Sequence, residues 1–275
     1  MKVKDIKELQ EYAKKVRQGI IESVYNAKSG HPGGSLSIAD ILTVLYFNQM
    51  NIDEKNPQAK GRDRLVLSKG HTAPALYSVL ALRGFFDFDE IKTLRNINSR
   101  LQGHPDMKKI PGVDASTGSL GQGLSIANGM ALASKMNSEG VRVYCICGDG
   151  EIEEGQIWEA AMTSAHYKLD NLCIIVDNNN LQIDGKVNEV MNIYPIDKKF
   201  ESFGFATINV DGHNIEELIR AFDTAKKTKG KPTAIIANTI KGKGVSFMEN
   251  IVGWHGKAPN QEEYLLAMKE LGGAV

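Results

Sequence analysis

The sequence predicts an α/β fold, an open and mostly parallel sheet with helices on both faces. Residues 141–147 (V-R-V-Y-C-I-C) and 172–176 (L-C-I-I-V) are short apolar runs of the kind that form buried parallel strands. Between them, residues 156–168 carry Ile157, Trp158, Ala161 and Ala165 at helical spacing, which gives a strand–helix–strand unit. Polar and glycine-rich segments directly follow both strands: Gly148-Asp149-Gly150-Glu151-Ile152-Glu153-Glu154-Gly155 after the first and Asp177-Asn178-Asn179-Asn180 after the second. Open parallel sheets bind ligands at those carboxyl ends.

The other elements follow in chain order. Residues 6–28 have a long helical pattern, closed by Ser29-Gly30-His31-Pro32-Gly33-Gly34-Ser35. A Gly-His-Pro-Gly turn stops a helix and projects a histidine from a loop. Residues 64–67 read as a strand, followed by Ser68-Lys69-Gly70-His71, and Gln102-Gly103-His104-Pro105 repeats the glycine–histidine pairing. Residues 121–136 form a small-residue helix with Ala127, Ala131 and Ala133, suited equally to a buried interface or a tightly packed core. His166 lies in a helix, where a structural role is expected, and Asp211-Gly212-His213-Asn214 reads as a turn and N-cap. Residues 226–231 form a basic turn expected to be solvated, ahead of a strand at 233–237. Ile240-Lys241-Gly242-Lys243-Gly244 then makes a loop that either approaches a phosphate or is solvated, and Gly253-Trp254-His255-Gly256 closes the set.

Composition narrows the function. The 275 residues suit one α/β core, so residues 1–275 are expected to form a single domain, and 42% hydrophobic content is enough to fill it. A formal net charge of zero leaves no electrostatic footprint for nucleic acid. The three cysteines, Cys145, Cys147 and Cys173, fall on strands, where they read as apolar filler in a reducing, cytoplasmic compartment. Cys145-x-Cys147 has the wrong spacing for a zinc or redox pair. Residues 1–10 are charged and helical rather than a signal peptide, and no apolar run approaches the roughly 18 residues of a membrane span. The 118–123 run is not G-x-G-x-x-G, and no Walker A sequence occurs, which sets aside nicotinamide and P-loop chemistry.

What remains is a site for a hard cation and a diphosphate. Magnesium takes one or two protein oxygens plus phosphate oxygens. Asp149 offers a carboxylate, Asn179 a side-chain carbonyl, and the turn near Leu181 a backbone carbonyl. Gly148 and Gly150 have no Cβ to keep a phosphate away, and the amides of the following helix start favour an anion. Four histidines, His31, His71, His104 and His255, stand beside glycine in loops other than the turn that holds His213, which suggests a polar pocket able to move protons near neutral pH.

Asp149 in G-D-G, followed about thirty residues later by Asn179, resembles the thiamin diphosphate motif, and the order of the histidine loops and of Ser116-Thr117-Gly118-Ser119-Leu120-Gly121-Gln122-Gly123 is similar to transketolase. The resemblance implies the thiamin diphosphate-binding fold of that family's N-terminal (diphosphate-binding, or PP) domain, with thiamin diphosphate and magnesium as cofactors and calcium as a substitute ion. It implies Asp149, Asn179 and the Leu181 carbonyl as metal ligands. The Gly150 amide would meet the diphosphate, Ile183 the thiazolium ring, and Gly118, Ser119 and Leu120 the cofactor through backbone and apolar contacts. His31 and His255 would assist proton transfers, His71 and His255 would touch the diphosphate, His104 the donor sugar, and Glu154 the relay between paired active sites.

By the same resemblance, the chain matches the first of three transketolase domains, and the glutamate that activates the cofactor belongs to the second. The expectation is an N-terminal subunit of a split transketolase of the pentose phosphate pathway. It would transfer a two-carbon ketol unit from a ketose phosphate to an aldose phosphate. A C-terminal transketolase subunit would supply the pyrimidine-binding and C-terminal domains in an α2β2 assembly, with sugar phosphates as substrates and neither nucleic acid nor membrane as a partner. The alternatives are a related thiamin diphosphate enzyme acting on another ketose or a 2-oxo acid, and a non-catalytic assembly subunit. The two His-Pro loops favour transketolase over both deoxyxylulose-phosphate synthase and the 2-oxo-acid dehydrogenase α subunit.

Overall fold

The computed structural model describes residues 2–273. In chain order the elements are α1 (Ile6–Ala27), α2 (Pro32–Ser37), α3 (Ala39–Val44), β1 (Arg64–Leu67), α4 (Ala73–Arg83), α5 (Gln122–Met136), β2 (Val143–Gly148), α6 (Gly155–His166), β3 (Leu172–Asn178), β4 (Leu181–Gln182), β5 (Gly185–Lys186), α7 (Val187–Val190), α8 (Ile196–Ser202), β6 (Ala206–Asp211), α9 (Ile215–Lys227), β7 (Thr233–Asn238) and α10 (Gln261–Glu270). Five strands form one sheet in the order β1-β2-β3-β7-β6, every neighbouring pair parallel, and β4 and β5 form a small antiparallel hairpin.

The strands divide their side chains between two apolar layers, as the two-residue period of a strand requires. Tyr144, Ile146, Cys173, Ile175 and Ile235 face a layer filled by α1, α3, α4 and α9. Val143, Cys145, Cys147, Ile174, Val176 and Ile236 face the layer under α5, α6 and α8. The helices α5 and α6 link β1, β2 and β3 along one face, whereas α9 links β6 to β7 along the other. The change of face falls between β3 and β7, and such a switch point opens a crevice at the strand ends.

Local chemistry sets the helix ends. The Asp5 carboxylate accepts the Lys7 N–H at 3.0 Å and starts α1, whose buried stripe runs through Leu9, Ala13, Val16, Ile20 and Val24. Asn214 caps α9 by accepting the N–H groups of Glu216 and Glu217, with lysines in the last turn to complement the helix dipole. His31 is not followed by an open loop: it occupies the N-cap position of α2, with Pro32 opening that helix.

Several expectations shift. The second strand begins at Val143 rather than 141, and the third extends through Asn178. The helix expected from residue 156 begins at Gly155, but a 3-10 turn, Glu151–Glu153, separates it from the G-D-G turn, so the amides of its start do not lie directly beside that turn. Lys226 is half-buried rather than solvated, because its ammonium reaches the carbonyl oxygen and side chain of Gln49. His166 is exposed at the end of α6 against the Tyr167 ring, outside the core. Cys145 and Cys147 share one strand face, with sulfurs 3.8 Å apart, and all three cysteines are free and buried.

Candidate active site

The carboxyl ends of β1, β2, β3 and β7 converge on a cleft of about 290 Å³, at the lower end of the range for small-molecule sites. Asp149, just past β2, is only 2% exposed. Its carboxylate accepts the Gly150 N–H at 2.9 Å and the Asn180 N–H at 2.5 Å. Burial, reinforced by the neighbouring Asp177 charge, pushes its pKa up to about 7. The Gly150 amide is therefore turned onto its own neighbour's carboxylate in this arrangement.

Asp177, at the end of β3, is fully buried. It is ion-paired with Lys69 and accepts hydrogen bonds from Ser37 Oγ at 2.7 Å, Thr239 Oγ1 at 2.5 Å and Asn179 Nδ2 at 3.0 Å. Burial opposes its ionisation, but the Lys69 charge and these hydrogen bonds outweigh it and hold the pKa below the ordinary carboxylate value. By taking the Asn179 amide nitrogen, Asp177 leaves Asn179 Oδ1 as the free acceptor, which receives the Leu181 N–H at 3.1 Å.

Across the cleft, the His31, His71 and His255 rings stand together with centroids 5.2 to 5.5 Å apart. Burial lowers the pKa of His31 to about 4, aided by Arg95, and that of His255 to about 3, aided by Lys241. His71 is pushed down by burial and then by Lys69. All three imidazoles are consequently neutral near pH 7, each with one donor and one acceptor nitrogen. His31 Nδ1 is buried with no hydrogen-bond partner among the described residues. Lys241, 2% exposed in the loop after β7, sends its ammonium to the Leu181 carbonyl oxygen at 3.1 Å and lies 3.0 Å from His255 Nδ1. Burial lowers the Lys241 pKa to about 8, helped by Lys69.

The remaining sequence candidates lie around this centre. Gly118, Leu120, Gly150, Leu181 and Ile183 line the cleft, with Ile183 63% exposed at its rim. His104 is exposed and stands apart from the three clustered histidines. Its ring lies over Gly118, where an added Cβ would come 3.0 Å from His104 Cδ2. Ser119 and Glu154 are exposed and do not line the cleft. Lys69, Lys241, Glu151 and Gln182, which the sequence did not single out as site residues, do line it. For Lys69 the signal was its place inside the Ser-Lys-Gly-His segment.

The donor set fits a hard divalent cation. Among the described residues no three His, Cys, Asp or Glu side chains cluster as a metal site, so a metal here would combine the Asp149 carboxylate with amide, backbone and ligand oxygens, as magnesium does beside phosphates. A buried carboxylate driven toward protonation gains most from such an ion.

With this geometry in place, the known proteins speak to its class. Residues 9–274 match the family model described as "Transketolase, thiamine diphosphate binding domain". The chain belongs to the transketolase family, within its thiamin diphosphate-binding part. It is 46% identical over 264 residues to "6-deoxy-6-sulfo-D-fructose transketolase subunit SqwG" of Clostridium sp. (strain MSTE9), covering 96% of both chains. It is 42% identical to an apulose-4-phosphate transketolase subunit of Phocaeicola vulgatus, covering 97% of this chain and 94% of that one. The crystal structure of transketolase from Campylobacter jejuni superposes with a TM-score of 0.92 at 38% identity, and there the match covers 98% of this chain but 43% of that one. By these matches the chain is the N-terminal subunit of a transketolase and thus one component of a transferase.

Proposed function

We propose that the chain is the N-terminal subunit of a two-chain, magnesium- and thiamin diphosphate-dependent transketolase that moves a two-carbon ketol unit from a ketose to an aldose. The observation that carries this reading is the set of neutral imidazoles of His31, His71 and His255 lining the same cleft as Asp149, Asn179 and Leu181. When bound, thiamin diphosphate supplies the nucleophile and electron sink for breaking the bond beside a ketose carbonyl. Asp149, Asn179 Oδ1 and the Leu181 carbonyl would hold magnesium. Lys69 and Lys241 bring positive charge to the diphosphate end of the cleft. His31 and His255, held neutral, can take a proton from a sugar hydroxyl and return it, while His71 binds the diphosphate and His104 orients the donor sugar. Gly118, Leu120 and Ile183 provide the apolar and backbone wall for the cofactor; Ser119, exposed outside the cleft, would reach it through the backbone only, and Glu154 would take part in the relay between paired active sites.

A partner chain with the pyrimidine-binding and C-terminal domains would complete the site, in an α2β2 assembly. The similarity over nearly full length to proteins named as transketolase subunits supports that arrangement. Residues 1–275 act as a single thiamin diphosphate-binding domain in this reading. Three buried free cysteines suit a reducing cytoplasm, and no helix among the described residues is long and apolar enough to cross a membrane.

The test is ketol transfer to ribose 5-phosphate with magnesium and thiamin diphosphate. Xylulose 5-phosphate and 6-deoxy-6-sulfofructose serve as alternative donors, for the chain alone and for the chain co-expressed with its partner. Transfer only in the mixture is expected. Transfer by the chain alone, or none in a mixture that binds cofactor, overturns the reading.

A further inference from the structure

Three of the loops around the cleft meet at one buried side chain. Glu151, in the 3-10 turn after the G-D-G segment, is 3% exposed. Its Oε1 accepts the Ser68 hydroxyl at 2.5 Å and the Gly121 N–H at 3.0 Å, and its Oε2 accepts the Gly148 N–H at 2.9 Å. Ser68 opens the segment that carries Lys69 and His71, Gly121 closes the segment that carries Gly118 and Leu120, and Gly148 precedes Asp149. These donors come from parts of the chain far apart in sequence and would otherwise be buried without partners.

The requirement is specific. Buried backbone N–H groups must find acceptors. A carboxylate is acceptor-only, with about four lone-pair directions, so it can take several donors converging from different sides, whereas an amide of the same size presents its own donors to one of them. The surroundings leave little slack. A Cβ on Gly123 would lie 2.5 Å from Ser68 Cβ, and one on Gly70 would lie 2.7 Å from Thr117 Oγ1. Thr117 Oγ1 in turn donates to the Leu67 carbonyl oxygen at 2.7 Å, which ties the second loop to the end of β1.

We propose that Glu151 is a positioning residue that locks the 68–71, 118–121 and 148–150 segments into one preformed wall of the cleft. A preformed wall spares a ligand the ordering cost of assembling three loops. The link to the cofactor rests on the function proposed above. The lock itself does not, because it is a property of the chain's own hydrogen bonds.

Amide hydrogen exchange on the full chain, read by mass spectrometry, separates the two. In Glu151→Ala and Glu151→Gln, peptides covering 65–72, 117–124 and 146–151 should all exchange about tenfold faster, while α1 and α9 keep their parent rates. Ser68→Ala, which removes one arm and leaves the carboxylate in place, should loosen 65–72 most and provides the test if Glu151→Ala does not fold. Faster exchange confined to 146–151 in both Glu151 variants overturns the lock. Adding thiamin diphosphate with magnesium should slow the same three segments in the parent, with a midpoint about tenfold higher in Glu151→Gln. If the cofactor slows none of them in the parent, the cofactor reading fails, and the lock still stands or falls on the first comparison.

Discussion

The Lys241 ammonium lies 3.1 Å from the carbonyl oxygen of Leu181, the backbone oxygen proposed for the metal. A protein cation thus shares an acceptor with the ion expected at this place. Two positive charges on one oxygen repel strongly in a site shielded from water, so Lys241 and magnesium compete unless diphosphate supplies negative charge between them.

Lys241→Met keeps the apolar stem and removes the charge. Magnesium alone should then bind about tenfold more tightly, because the competing cation is gone. Thiamin diphosphate with magnesium should bind about tenfold more weakly, because a charge-assisted contact is lost. Isothermal titration of each ligand checks both shifts, and equal movement of the two affinities in the same direction would contradict the competition.

Asp149→Asn removes the carboxylate from the metal set without changing its size. Metal-dependent affinity for thiamin diphosphate should fall by more than about a hundredfold, since a neutral amide is a poor ligand for a hard divalent ion. The variant loses the repulsion from Asp177, but Asp149 accepts an N–H on each carboxylate oxygen, from Gly150 and Asn180, and an amide would turn its own donor onto one of them, so the melting temperature without ligand should fall slightly. Unchanged cofactor affinity in this variant would remove Asp149 from the metal set.

The histidine cluster sets a pH dependence of stability. The folded chain holds His31 near 4 and His255 near 3, below the ordinary histidine value of 6.5. Between those limits the unfolded chain binds protons that the folded chain refuses, so stability rises with pH across that window and falls as pH drops below about 6.5. Denaturant unfolding at a series of pH values should show this slope, and His31→Gln combined with His255→Gln should flatten it by about two protons. An unaltered slope in the double variant would mean that other groups set it.

How much of this was legible in sequence follows from what each signal depends on. Buried parallel strands are continuous apolar runs, so β1, β2, β3 and β7 were readable within two residues of their observed ends. The histidine loops were readable because glycine and proline punctuate them. By contrast, β6 (A-T-I-N-V-D) is a half-exposed edge strand that mixes polar and apolar residues and gives a weak pattern. Lys69 carried no reading of its own beyond its place in the Ser-Lys-Gly-His segment, and the Lys241 loop was open between approaching a phosphate and being solvated. The burial of both lysines is decided by Asp177, Leu181 and His255, all distant in sequence. Glu151 was hidden for the same reason, since its three donors come from three separate segments.

His213 offers a further test, because the sequence pattern assigned it only to a turn. Its Nδ1 lies 2.7 Å from Asp40 Oδ2, and its Nε2 accepts the Ile240 N–H at 2.8 Å. That pairing fixes the tautomer, with the proton on Nδ1. Asp40 also takes a two-point contact from Arg17, at 3.1 Å and 2.5 Å. The chain of contacts therefore runs from α1 through Asp40 and His213 to the residue before Lys241. His213→Ala leaves the Ile240 amide without its acceptor but keeps the Arg17–Asp40 ion pair, so it should cost about 1–3 kcal/mol. Arg17→Met leaves Asp40 as a buried carboxylate without its main counter-charge and should cost more, about 3–5 kcal/mol. The two variants should also differ at the cleft: His213→Ala frees the 239–244 loop and should weaken diphosphate binding about tenfold, whereas Arg17→Met should act chiefly on stability. Denaturant unfolding together with cofactor titration separates these outcomes, and a loss of stability without any change in affinity for His213→Ala would show that Lys241 is placed without its help.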